Sequence, residues 1–160
     1  MSIITNATMY IITKNTKAII ANSSGHYRSK IFHSEGESNS IHSPRQIISY
    51  NCMKNHSSME GRETAARHVL RTNSKLPISV NPSLGIYLFP TTSPRNPQCV
   101  WLSYYHIDFF KQVDELTYIH FQDGTNLHIS ISERTLDQQY KKTSQLIAAF
   151  HRENIFGYSL

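Results

Sequence analysis

Short apolar runs separated by polar turns fill the chain, and the period of each run predicts its element. Met9-Tyr10-Ile11-Ile12-Thr13 and Ala18-Ile19-Ile20-Ala21 read as two strands joined by the polar turn Lys14-Asn15-Thr16-Lys17. Residues 22–43 hold seven serines and read as loop around one strand, Tyr27 to His33. Ser43-Pro44 opens a helix over 44–55, because a serine hydroxyl accepts from a free amide and proline loses nothing at the first helical position. Ile47, Ile48 and Cys52 form its apolar stripe. A second helix over 58–72 begins at Ser57 or Ser58, with Glu60 and Glu63 in the first turn, where the helix dipole favours them. Met59, Ala66, Val69 and Leu70 make its buried arc, and Arg62 falls at the edge of that arc. Glu63, Arg67 and Arg71 follow at four-residue intervals on the outer face.

From Lys75 the pattern changes to strands broken by proline: Pro77–Val80, Gly85–Phe89 and Cys99–Tyr104. A hairpin follows around Gln122-Asp123-Gly124. If Gly124 takes the left-handed position of a three-residue loop, Phe121 pairs with Thr125, Ile119 with Leu127 and Thr117 with Ile129. Every apolar residue then shares one face with Ile131, whereas a two-residue turn would split them. Ser132 caps a final helix over about 133–152, with Leu136, Tyr140, Ile147 and Phe150 buried. The fold class is α+β: mostly antiparallel strands, two helices before the central strands and one C-terminal helix. The 160 residues fit a single domain, with 1–8 outside any predicted element and 154–160 a short tail.

Composition narrows the class. No apolar run approaches the roughly 20 residues of a membrane helix, and Met1 to Asn6 lack the basic start of a signal peptide. Cys52 and Cys99 are too few for a disulfide framework and suit a reducing cytoplasm. The net charge is +5, and residues 45–75 alone carry +4, from Arg45, Lys54, Arg62, Arg67, Arg71 and Lys75 against Glu60 and Glu63. Such a local excess of positive charge attracts polyanions.

Little in the chain suggests catalysis. The nine histidines fall at spacings that fit no metal site, and no HExxH, GxSxG or phosphate-binding glycine loop occurs. Both cysteines read as packed rather than nucleophilic. No cofactor is expected. The two consecutive basic helices invite a helix-turn-helix reading, but the outer face of the second has no Asn or Gln to read base edges. Basic residues without amide readers suit phosphates, or arginine in a narrow minor groove.

Ser57-Ser58-Met59-Glu60-Gly61-Arg62, Leu76-Pro77-Ile78-Ser79-Val80-Asn81-Pro82, Ile86 to Thr91 and Arg95-Asn96-Pro97-Gln98-Cys99-Val100-Trp101 occur in that order. In these blocks the chain resembles the competence transcription factor (ComK) family of Gram-positive bacteria. The likeness continues through Phe121-Gln122-Asp123-Gly124 into the last helix. It implies a transcriptional activator of DNA-uptake genes that binds paired A/T-rich boxes of double-stranded DNA as a homo-oligomer, largely through the minor groove. Arg62 matches the family's Gly-Arg position and is the first DNA-binding candidate. Arg67, Arg71, Lys75 and Lys54 follow as phosphate contacts, while Phe89, Pro90, Cys99 and Trp101 read as fold-defining. RNA polymerase and a proteolytic adaptor are further partners the resemblance implies. The place of action it implies is the cytoplasm, on the nucleoid. Longer members continue into a tail associated with proteolysis and activation, whereas this sequence runs to Leu160, and Val100 stands where some relatives carry glycine. Two other readings remain: a shortened relative that modulates a full-length activator by hetero-oligomerisation, and a histidine-based nuclease.

Overall fold

Each serine-led start opens a helix in the computed structural model of the chain, which describes residues 9–22 and 25–157. Helix α1 spans Pro44–Lys54, and Ser43 and Gln46 cap it reciprocally, each side chain accepting from the other's backbone N–H. Helix α2 spans Met59–Leu70 behind Ser58, and α3 spans Glu133–Phe156 behind Ser132. The strands are β1 (Thr16–Ala21), β2 (Ser29–His33), β3 (Gly36–Ser40), β4 (Ile78–Asn81), β5 (Ile86–Pro90), β6 (Val100–Ser103), β7 (Ile107–Val113), β8 (Leu116–Phe121) and β9 (Asn126–Ile129). All pair antiparallel, in a six-stranded sheet ordered β3-β2-β1-β6-β5-β4 and a three-stranded sheet ordered β7-β8-β9. The α+β class and helix placement are as the sequence predicts.

The large sheet is the middle layer, buried on both faces. On one side Ile19, Ile31, Ile78, Val80, Leu88 and Trp101 pack under Ile47, Ile48 and Cys52 of α1 and Met59 of α2. On the other, Ala18, Phe89, Val100 and Leu102 meet Ile119, Phe121 and Ile129 of the small sheet and Leu136 of α3. A third cluster joins α2 to α3, where Ala66, Val69 and Leu70 pack with Tyr87, Leu146, Ile147 and Phe150.

The β8–β9 register matches the expectation: Thr117 opposes Ile129, Ile119 opposes Leu127, and Gly124 sits at φ 88. Phe121 N–H donates to Thr125 at 2.9 Å, closing the three-residue loop. Other expectations need correction. Residues 9–13 are not a strand. Asn51 of α1, buried, accepts from Ile12 N–H at 2.9 Å and donates to Tyr10 C=O at 3.0 Å, so one amide side chain replaces a partner strand. The predicted strand Tyr27 to His33 begins only at Ser29, and part of its serine-rich surroundings is strand β3, a polar edge paired along β2. Strand β7 went unpredicted because five of its seven residues are exposed and it lacks alternation. Helix α3 runs on to Phe156, into the stretch expected to be tail. Residues 1–8 and 158–160 lie outside the described residues, as does any expectation placed on them.

Candidate nucleic-acid interface

Positive charge concentrates on the helix side of the large sheet because α1, α2 and the segment after α2 all lie there or at its edge. Ser58 sets the phase of α2: its hydroxyl accepts from Gly61 N–H at 2.9 Å. A Cβ at position 61 would come within 3.1 Å of that hydroxyl, so glycine keeps the cap unstrained. With that phase, α2 packs on α1 and the sheet through Met59 and on α3 through Ala66, Val69 and Leu70. The exposed strip left over carries Glu60, Gly61, Thr64, Arg67, His68 and Arg71. It has no Asn or Gln.

A groove of about 520 Å³ opens beside this strip, lined by Arg45 of α1, Glu63 and Arg67 of α2, Asn73 to Leu76, Ser93 to Arg95 and Trp101. Four cations thus face one carboxylate. Glu63 turns to Arg45 across the helix pair at 3.6 Å, and among the described residues no ion pair holds Arg67, Lys75 or Arg95. The ladder of Glu63, Arg67 and Arg71 along one helix is therefore not a chain of ion pairs. A surface pair such as Arg45–Glu63 is worth under about 1 kcal/mol, so it opposes rearrangement only weakly.

Arg67 and Lys75, expected from sequence, come together in this groove. Arg71 is exposed at the end of α2 in the left-handed conformation, φ 55, with its N–H on Arg67 C=O at 2.8 Å. Lys54 is exposed in the last turn of α1 and does not line the groove. Arg62 is half-buried on the inner side of α2, as its place at the edge of the apolar arc predicts. Its charge helps the ionised forms of Cys52 and Tyr87, although burial dominates and pushes Cys52 up to about 11 and Tyr87 to about 12. Among the described residues its buried Nε has no hydrogen-bond partner. Leaving such a donor unpaired costs on the order of 1–3 kcal/mol, an expense the protein keeps.

Arg45 and Arg95 are groove residues that sequence reasoning passed over. Arg45 counted toward the positive stretch without a role, and Arg95 stood in a resemblance block as part of a proline-rich loop. The expected core residues are placed as predicted: Phe89, Pro90, Cys99 and Trp101 are buried, and Trp101 also lines the groove. Burial raises both thiols' pKa, Cys99 included, consistent with packed rather than reactive cysteines. Val100 lies in β6 opposite Ile20, an ordinary strand position. His120 and His128 are not cross-strand partners; His120 opposes Asn126 and its Nδ1 lies 3.1 Å from Asp108. Among the described residues no group of His, Cys, Asp and Glu could hold a metal ion, and no helix is long and apolar enough to cross a membrane.

Comparison with known proteins gives a family and a relative. The sequence model described as ComK protein matches residues 7–154. The Competence transcription factor of Bacillus subtilis (strain 168) is 35% identical over 108 residues, covering 67% of this chain and 56% of that protein. The match therefore spans little more than half of the relative. No solved structure matches the chain.

Proposed function

The chain belongs to the ComK protein family, and on that premise we propose that it is a DNA-binding transcriptional activator of competence genes. It binds paired A/T-rich boxes as a homo-oligomer, largely through the minor groove. The observation that carries this reading is the groove between α1, α2 and the β5–β6 loop, where Arg45, Arg67, Lys75 and Arg95 stand against the single carboxylate of Glu63. Cations without counter-charges are suited to a polyanion.

Two features favour the minor groove over the major. The exposed strip of α2 has no amide side chain for bidentate contact with adenine. Three of the four groove cations are arginines, and A/T-rich minor grooves are narrow and electronegative, which draws arginine in. Arg62, Arg71 and Lys54 then act from outside the groove. Arg62 supports the interface from within α2, and the other two meet phosphates along the same side. The protein works in the cytoplasm on the nucleoid, without a cofactor or catalytic step. RNA polymerase is the partner an activator must reach.

A fluorescence-anisotropy titration tests the reading, using a duplex with two A/T boxes and a scrambled duplex of equal composition, each at several salt concentrations. The boxed duplex should be preferred. The four groove cations should contribute roughly −3 to −4 per bound protomer to the slope of log K against log salt if each neutralises one phosphate. Equal weak binding to both duplexes would overturn the reading and leave a modulator that pairs with a full-length activator.

A further inference from the structure

The turn that follows α2 is tied down from the C-terminal helix. Gln139 of α3, 1% exposed, donates from Nε2 to the carbonyls of Lys75 and Pro90, both at 2.8 Å. One turn further along α3, Lys142 donates from Nζ to Ser74 C=O at 3.0 Å. Lys75 itself holds φ 50, a conformation that residues other than glycine rarely adopt. The helix thus clamps a strained turn and brings two ammonium groups to one rim of the basic groove.

Those two charges are uncompensated. Burial and the charge of Lys75 together pull the pKa of Lys142 down. Asp137, on the same helix, is taken by Lys141 at 2.7 Å, and Glu63 is taken by Arg45. Among the described residues neither Lys75 nor Lys142 has a carboxylate partner. An ammonium group has three donors, and Lys142 spends one on Ser74. Two like charges held together at a half-buried rim repel each other in the free protein, and one anion between them relieves both. Lys142 is already hydrogen-bonded to the preformed turn, so little ordering is needed when the anion arrives.

We infer that Lys75 and Lys142 jointly hold one phosphate of the bound DNA backbone, which makes α3 part of the interface. The inference rests on the DNA-binding reading above and adds to it a residue and a stoichiometry. Lys142 was not among the residues the sequence pointed to, since it lies on the far side of the chain from the basic stretch.

Salt-dependent anisotropy on the boxed duplex separates the outcomes, because a purely structural clamp would not change the number of counterions released. The variants are Lys75→Gln, Lys142→Gln, their double, Lys141→Gln as control and the double Arg67→Gln with Arg95→Gln. Glutamine keeps a donor for Ser74 C=O and removes the charge; circular dichroism checks that each variant is folded. For each bound protomer, counted from the stoichiometry at saturation, the Lys75/Lys142 double should flatten the salt slope by about 0.9 and lose about eightfold in affinity at 0.1 M salt, as one released counterion implies. Lys141→Gln should leave the slope alone. Flattening by about 1.8 per bound protomer would give each lysine its own phosphate and overturn the shared site. An unchanged slope in the lysine double, with a flattened one in the arginine double, would remove Lys142 and keep the groove. A wild-type protein that does not prefer the boxed duplex would refute the DNA reading itself.

Discussion

The helix side of the large sheet and the small sheet behind it handle charge in opposite ways. In the small-sheet layer, charge is spent on the fold. Lys17 of β1, almost wholly buried, donates to Asp123 Oδ2 and Thr125 Oγ1, each at 2.8 Å, across the two sheets. Its ammonium also lies 5.5 Å from the Phe121 ring centroid. At the other end, Gln112 N–H donates to Glu133 Oε1 at 2.7 Å while Glu133 N–H donates to Gln112 Oε1 at 2.8 Å, pinning β7 to the start of α3. On the helix side, six cations between 45 and 75 share one described ion pair, Arg45–Glu63. Charge that is matched internally stabilises the architecture; charge left unmatched is available to a partner.

Breaking the matched side should produce the largest effect on stability. Asp123→Ala leaves the Lys17 ammonium buried and uncompensated, and should destabilise the fold by about 3 kcal/mol in urea unfolding. The same pair sets an acid limit. The hydrogen bond from Lys17, and then that from Thr125, hold the Asp123 carboxyl well below the usual carboxylate range. A lowered folded pKa means stability that is complete above the unfolded value near about 4 and lost as pH falls below it. Asp123→Asn should flatten that acid loss, and an unchanged pH profile would show that the pair contributes nothing.

On the unmatched side, substitutions should cost binding rather than stability. The double Arg67→Gln with Arg95→Gln should weaken boxed-duplex binding by roughly tenfold to a hundredfold at moderate salt and leave the urea midpoint in place. A shift in the midpoint with unaltered binding would reverse the contrast between the two regions. Arg62→Met sharpens it further. Removing the orphaned Nε should stabilise the protein by about 1 kcal/mol, and DNA affinity should fall if the guanidinium serves the interface. Stabilisation with full affinity would make Arg62 a packing residue. The smallest effect on stability belongs to Arg71→Gly, which relieves the left-handed strain and should stabilise by up to about 1 kcal/mol; a fall in DNA affinity beside it would support the proposed phosphate contact.

Part of the proposed interface is legible in the sequence. The positive stretch, the phase of α2 and the edge position of Arg62 follow from local sequence, since capping and helical period operate over a few residues. Arg67 and Lys75 lie in that stretch, and the family resemblance marks them, with Arg71 and Lys54, as phosphate contacts. The association of Arg67 and Lys75 with Arg95, some twenty residues further on in a proline-rich loop, could not be read from the sequence. Nor could the ion pair that takes Glu63 away from its own helix, because it depends on how α1 lies beside α2.

The same division runs through the whole fold. By itself the sequence determined two helix starts, the third to within one residue, the fold class and the register of β8 with β9, where one choice of loop places every apolar residue on one face. Tertiary structure decided what has no local signature. Met9 to Thr13 has strand composition yet finds its hydrogen bonds on Asn51, while polar Gly36–Ser40 becomes a strand because β2 offers it an edge. The clamp of Gln139 and Lys142 on Lys75 and Ser74 joins residues more than sixty positions apart. Periodicity records what a segment can bury along its own length; which backbone groups and charges it meets across the fold depends on non-local packing.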